Sequence, residues 1–128
     1  MTLKSETLLY RQVHPSWVQN GGVSNQAFVT SQTFKPTPKD QNKLSMYDGD
    51  QYSAQESYEH YSEKLTSAGV LGVTVKEFQL EELPCESDDV TFQGHVLVDY
   101  GDHTKGTIER KSKKIRDIAI QRGWVYIP

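Results

Sequence analysis

The stretch Lys43–Gly69, KLSMYDGDQYSAQESYEHYSEKLTSAG, is the most heavily punctuated part of the chain. Leu44 and Met46 alternate with Ser45 and Tyr47, the period of a half-buried strand. Asp48-Gly49-Asp50 is a turn signal. Ser53 and Glu56 then form a capping-box pair, in which each side chain bonds the other residue's backbone N–H. Ala54, Tyr58, Tyr61, Leu65 and Ala68 recur at helical spacing, with Glu56, Glu59, Glu63 and Lys64 outside the stripe. The spacing predicts an amphipathic helix that Gly69 ends, because a left-handed residue costs glycine nothing. Asp48 and Asp50 are too few, and the run too short, for a calcium loop. They read as a solvated turn whose carboxylates favour the positive end of the next helix.

A chain of 128 residues is one domain by default. At that size it hides roughly two-thirds of its unfolded surface. Seven tyrosines supplement a hydrophobic content of 35%, with their hydroxyls at the core's edge. The net charge of −3 does not announce a nucleic-acid or membrane partner. No apolar run is long enough for a membrane span, and the N-terminus lacks a signal-peptide core, so a cytoplasmic location is expected. Cys85 is the single cysteine, which excludes an internal disulfide and a cysteine-based zinc site. The acidic surroundings PCESDD disfavour its thiolate, so it is not read as a nucleophile. His14, His60, His95 and His103 are scattered, without H-E-x-x-H or an i, i+4 pair. His95 and Asp99 share a strand face but lie too far apart for a direct pair. No metal and no cofactor are expected.

The other elements follow from the same rules. Thr7–Val13 reads as a strand that His14-Pro15 ends. Pro15–Gln19 reads as one helical turn that folds Trp17 and Val18 onto the core. Ala27–Thr30, extended toward Phe34, reads as a second strand. Lys35–Asn42 is a proline-containing loop. Val70–Leu80 reads as a strand whose apolar parity switches between Val75 and Phe78, which suggests a bulge. Leu83–Asp89 is an acidic loop, and Val90–Tyr100 is a strand region broken near Gly94. Thr107–Arg122 is a second helix, with Ile108, Ile115, Ile118 and Ala119 on one face and Gly123 at its end. Trp124–Ile127 is β-prone and is expected to pair with the sheet. The order suits a single α+β domain, residues 1–128. Its sheet is expected to be mixed or mostly antiparallel, with about five or six strands and two helices on one face.

Two groups of residues could bind something. Arg11 sits in an apolar strand, where a charge is costly unless it meets a carboxylate or a ligand. His14 follows at the strand end, and Ser31 lies in a Ser/Thr-rich segment suited to a phosphate or amide. An early Arg, a Ser/Thr segment and a strand–helix unit resemble the layout of small ADP-ribosyltransferase-type domains. That resemblance implies NAD held by Arg11, His14 and Ser31, with Glu77 or Glu109 as the directing carboxylate. YRQVHPSWVQ, FKPTPKD, KLSMYDGDQ and RDIAIQRGWVYIP also resemble a family of small bacterial proteins with no assigned activity. This resemblance implies a cytoplasmic bacterial origin.

The second group is charge. Lys105–Arg122 holds seven basic residues against Glu109 and Asp117, so it is five units positive and the remainder of the chain carries −8. Arg110, Lys113, Lys114 and Arg116 are the candidate contacts for an acidic partner, or for a nucleic-acid backbone as the less favoured case. Nucleophile-elbow, Walker and dinucleotide-fold motifs are absent. The expected function is a binding or accessory module acting through a protein partner or self-association. NAD-dependent transfer is the alternative and nucleic-acid binding the third reading.

Overall fold

The computed structural model describes residues 3–18, 29–36 and 41–128. Five strands, β1 (Leu8–Val13), β2 (Lys43–Asp48), β3 (Gly69–Thr74), β4 (Cys85–Ser87) and β5 (His95–Asp99), form one antiparallel sheet in the order β3-β1-β2-β5-β4. Three helices accompany it: α1 (Ala54–Ser62), α2 (Val75–Leu80) and α3 (Lys105–Arg122). Pro15–Trp17 and Ser31–Phe34 are short 3₁₀ turns. The α+β class and the antiparallel sheet are those expected from the sequence.

Strand parity divides the molecule into two halves. Leu9, Val13, Leu44, Met46, Val73 and Val98 point to one face and are almost fully buried. Ile115 and Ala119 of α3 complete this core with Phe34, at roughly 1.5–3 kcal/mol per large apolar side chain. Ser112 is fully buried in α3 and donates both to the Ile108 carbonyl at 2.8 Å and to the Phe34 carbonyl at 3.1 Å. The Tyr100 hydroxyl donates to the same Phe34 carbonyl at 2.7 Å. The Ser31–Phe34 turn is thereby pinned between sheet and helix.

The opposite face carries Tyr10, Gln12, Tyr47 and His95. Helix α1 lies there: Gln12 donates to Ser57 at 2.9 Å, and Ser67 donates to Gln12 at 2.9 Å. The two longer helices therefore take opposite faces instead of the single shared face expected. The sequence shows that each is amphipathic but not which strand parity each meets.

Several boundaries differ from the sequence reading: Cys85–Ser87, expected within an acidic loop, pairs with β5 as β4, and α3 starts at Lys105, not Thr107. The Ser53–Glu56 capping box forms as expected. Helix α1, however, ends at Ser62, and Leu65 is exposed. The Ala68 N–H is taken by the Val13 carbonyl at 2.7 Å, so sheet pairing claims the residues just before Gly69. Val70–Leu80 is a strand followed by a helix, and no bulge is needed. Thr74 and Glu77 form a second capping box, and the change in parity marks the passage from strand to helical period. Ser31–Phe34 is a turn, not a strand. The Ala27–Phe28 part of that expectation lies outside the described residues, while Val29 bridges Val18.

Helix ends are satisfied by neighbours. Lys111 is almost fully buried and its ammonium donates to the Glu81 carbonyl at the end of α2. A cation there meets the negative end of the helix. Trp124–Ile127 pairs as expected: Val70 and Tyr126 bridge, which covers the outer edge of β3. No helix among the described residues is long and apolar enough to cross a membrane.

Arg122 ties α3 to this edge. Its guanidinium donates to both Glu77 carboxylate oxygens, at 2.8 and 3.0 Å, and to the Gly72 carbonyl at 2.9 Å. Burial alone would raise the Glu77 pKa. Hydrogen bonds from Arg122 and Thr74, with the Arg122 charge, outweigh it and hold the carboxyl below its usual range. A depressed carboxyl contributes stability above its unfolded pKa of about 4.3 and loses it as pH falls through the folded value. Glu77→Gln is expected to lower stability by about 1 kcal/mol at pH 7. The gap to wild type should close as pH falls from about 5 to about 3, read by urea unfolding at several pH values. A gap independent of pH would contradict this role.

Candidate functional site

Register places Tyr10, Tyr47 and His95 side by side across β1, β2 and β5. Above this row stands the last turn of α1 with His60 and Tyr61, and beside it the loop carrying Thr91 and Phe92. Between them is a cavity of about 500 Å³, within the range of small-ligand sites.

The walls are aromatic. Tyr47 packs edge-on to Tyr52 at 5.1 Å between centroids. The Phe92 ring lies 4.8 Å from His60 and 4.8 Å from His95. Such offset and tilted contacts suit the ring quadrupoles. Gly94, at φ 90°, lets the Phe92 loop lie against Tyr52, since a Cβ there would run into the Tyr52 ring. Tyr52 also donates to the Gln93 carbonyl at 2.9 Å.

Each histidine has one ring nitrogen engaged. Tyr47 Oη and His60 Nδ1 are 2.8 Å apart, and His95 Nδ1 and Asp88 Oδ2 are 2.9 Å apart. Asp88 reaches His95 because β4 and β5 continue their pairing, with the Asp88 N–H donating to the His95 carbonyl at 2.7 Å. A hydrogen bond from Thr91, and then one from His95, hold the Asp88 carboxyl below its usual pKa. A carboxylate on Nδ1 fixes the ring orientation and leaves Nε2 for another partner. Burial, with the nearby Tyr52 hydroxyl, pushes the Tyr47 phenol well above its ordinary pKa, so it stays protonated.

Arg11 also lines this cavity. The β1–β2 ladder stops after Tyr10↔Tyr47. The guanidinium sits beside the point where pairing ends, donating from Nε to the Thr33 carbonyl at 2.7 Å and from Nη1 to the Ser45 carbonyl at 2.9 Å. The Trp17 ring lies 5.6 Å away, within cation–π range. No carboxylate pairs with Arg11 among the described residues. Burial lowers its pKa, and the neighbouring Tyr61 and Tyr100 oppose that shift. An arginine retains its charge under such conditions.

The other sequence candidates do not converge here. His14 is exposed and accepts from the Ser16 N–H at the start of its 3₁₀ turn. Ser31 is buried in the turn against α3. Neither lines the cavity with Arg11. Glu77 is held by Arg122, and Glu109 is bonded to Lys35 at 3.0 Å. Asp48 is buried, unlike the solvated turn expected, and accepts from the Asp50 N–H and Gln51, while the exposed Asp50 accepts from Thr7. No cluster of three or more metal-ligating side chains occurs among the described residues.

On α3, Lys114 pairs with Glu81 at 3.3 Å and Arg116 with Asp117 at 2.9 Å. Arg110 and Lys113 are exposed and make no ion pair among the described residues. Two basic residues of this segment, Lys114 and Arg122, reach acidic groups elsewhere in the fold, Glu81 and Glu77.

The sequence reading missed Tyr47, His60 and Phe92 as site residues. Tyr47 and His60 lie within its best-read stretch, but no spacing rule links them to Phe92. Only the sheet register and the Gly94 turn bring them together. The fold and cavity define a small α+β domain with a ring-lined pocket. Comparison with known proteins does not extend this: no protein family matches the chain, and neither a curated protein nor a solved structure does.

Two outcomes follow from this geometry. Arg11→Ala leaves the Thr33 and Ser45 carbonyls without their donors and should destabilise by about 2–5 kcal/mol in chemical denaturation. A loss below about 0.5 kcal/mol would mean that the guanidinium does not hold these strands. Burial pushes the Cys85 thiol up to about 12. At pH 8 it should react with a thiol reagent at least about a hundredfold more slowly in the native protein than in denaturant. Equal rates would contradict that environment.

Proposed function

We propose that this protein is a binding module that holds a small planar aromatic ligand in the cavity between α1 and the sheet. The observation that carries this reading is the Tyr47–His60–Phe92–His95 cluster around a cavity of about 500 Å³. Ring walls favour a flat apolar body, while His60, His95 and Tyr47 supply the few oriented polar groups such sites use. The fixed hydrogen bonds to Nδ1 of both histidines favour recognition by a pre-set surface over one assembled on binding. The domain needs no cofactor for this role.

The protein-partner or self-association reading keeps one specific support, the exposed Arg110 and Lys113 on α3, which make no ion pair among the described residues. Two cations make a narrow docking patch, and a nucleic-acid backbone calls for more. The NAD-dependent transfer reading retains Arg11 as a cavity residue, without His14 or Ser31 beside it.

The test is a thermal-shift and NMR titration with bicyclic aromatic probes such as 2-naphthamide. Binding should move resonances of Phe92, His60 and Tyr47 together. Phe92→Ala should weaken binding about tenfold or more while the protein stays folded, since the ring stands on a loop. No shift with any probe, or shifts confined to other surfaces, would end this reading.

A further inference from the structure

The buried cation in the cavity wall says more about the ligand. A guanidinium has five N–H donors, and among the described residues Arg11 uses two, on the neutral carbonyls of Thr33 and Ser45. Its Nη1 contact with Ser45 is accessible to solvent, and Arg11 and Ser45 both line the cavity. Arg11 leaves β1 on the Leu9 and Val13 face, and its guanidinium turns into the gap where the β1–β2 ladder stops, near Ser45 and Tyr61 of the cavity wall. Other charges on the lining do not offset it. Glu63 and Lys64 stand together on the exposed rim at the end of α1, one of each sign. His95 already has Asp88, and Tyr47 remains a neutral phenol. Among the described residues, the cavity thus combines aromatic walls with a guanidinium that pairs with no carboxylate and has donors to spare. Partly buried charges of this kind need a counterion or a ligand that supplies one.

We infer that the ligand is an aromatic anion: a planar ring system carrying one carboxylate or phosphate, with its rings against the wall formed by His60, Phe92 and His95 and the acid group toward Arg11. This rests on the proposal that the cavity is a ligand site and adds the charge of its occupant. A guanidinium fork suits both oxyanions, since each presents two oxygens at matching spacing. Arg11 is a binding residue in this account, and its bonds to Thr33 and Ser45 hold the fork in place.

The experiment measures the affinities of 2-naphthoate, 2-naphthamide and 2-naphthyl phosphate by calorimetry for wild type, Arg11→Gln and Lys64→Gln. Wild type should bind at least one of the two anions about tenfold or more tightly than the neutral amide. Arg11→Gln should erase that preference, bringing its anion and amide affinities within about twofold of each other. Lys64→Gln should keep the preference within about twofold, as expected for a solvated rim charge. The tighter of the two anions identifies which acid group the site takes. Equal affinity for anions and amide in wild type would overturn the anion inference and leave the aromatic site standing. No binding of any probe would overturn both. A preference that survives Arg11→Gln, or that vanishes in Lys64→Gln, would overturn the assignment to Arg11. Should Arg11→Gln fail to fold, the wild-type ratio and its persistence in Lys64→Gln decide the matter on their own.

Discussion

The guanidinium of Arg11 is the contact on which the two halves of this molecule meet. It belongs to the face of β1 that carries Leu9 and Val13, yet it reaches the Ser45 carbonyl beside the point where the β1–β2 ladder ends. Its second bond, to the Thr33 carbonyl, holds the Ser31–Phe34 turn against the sheet. That turn carries Phe34, whose carbonyl accepts from both Tyr100 and Ser112. A charge placed there is expensive to desolvate, and two carbonyls and one indole face offset only part of that. A leucine would fill the space more cheaply, but it would leave both carbonyls unbonded and the cavity without a charge.

The two faces of the sheet are built for different ends. On the α3 side the contacts are aliphatic, branched and closed, with buried hydroxyls satisfied by carbonyls. This side gives the domain its stability. On the α1 side the buried groups are largely polar or aromatic. A Gln12–Ser57–Ser67 network sits at one end and the ring-lined cavity at the other. A shorter α1 leaves that cavity open: had the helix run to Gly69, its last turns would have continued past Tyr61 and Leu65. Helix α1 ends at Ser62, and the chain has returned to the sheet by the Ala68–Val13 hydrogen bond.

What could be read in advance was what neighbouring residues decide between themselves. The Ser53–Glu56 box formed because its bonds span three residues and need no partner elsewhere. Thr74–Glu77 carries the same signature, but the apolar run from Val70 to Leu80 also reads as a strand with a bulge between Val75 and Phe78. Short apolar runs do not distinguish the two periods. Arg11 was legible as an anomaly, a charge in an apolar strand, but its partners are backbone carbonyls that any sequence would possess. His95 shares a strand face with Asp99, too far away to pair, while its partner is Asp88, just past β4, a strand of three residues with no pattern of its own.

By itself the sequence determined the class of the domain, the start of α1, the glycine that ends α3 at Gly123, and the pairing of the C-terminal segment with the sheet. These depend on local hydrogen bonds, backbone freedom and apolar periodicity, which act over a few residues. Only the tertiary structure decided which face each helix covers, where α1 stops, and that Tyr10, Tyr47, His60, Phe92 and His95 surround one cavity beside Arg11. Those outcomes depend on strand register and on competition between helix and sheet for the same N–H groups. Residues far apart in the chain settle that competition jointly, and no single stretch encodes it.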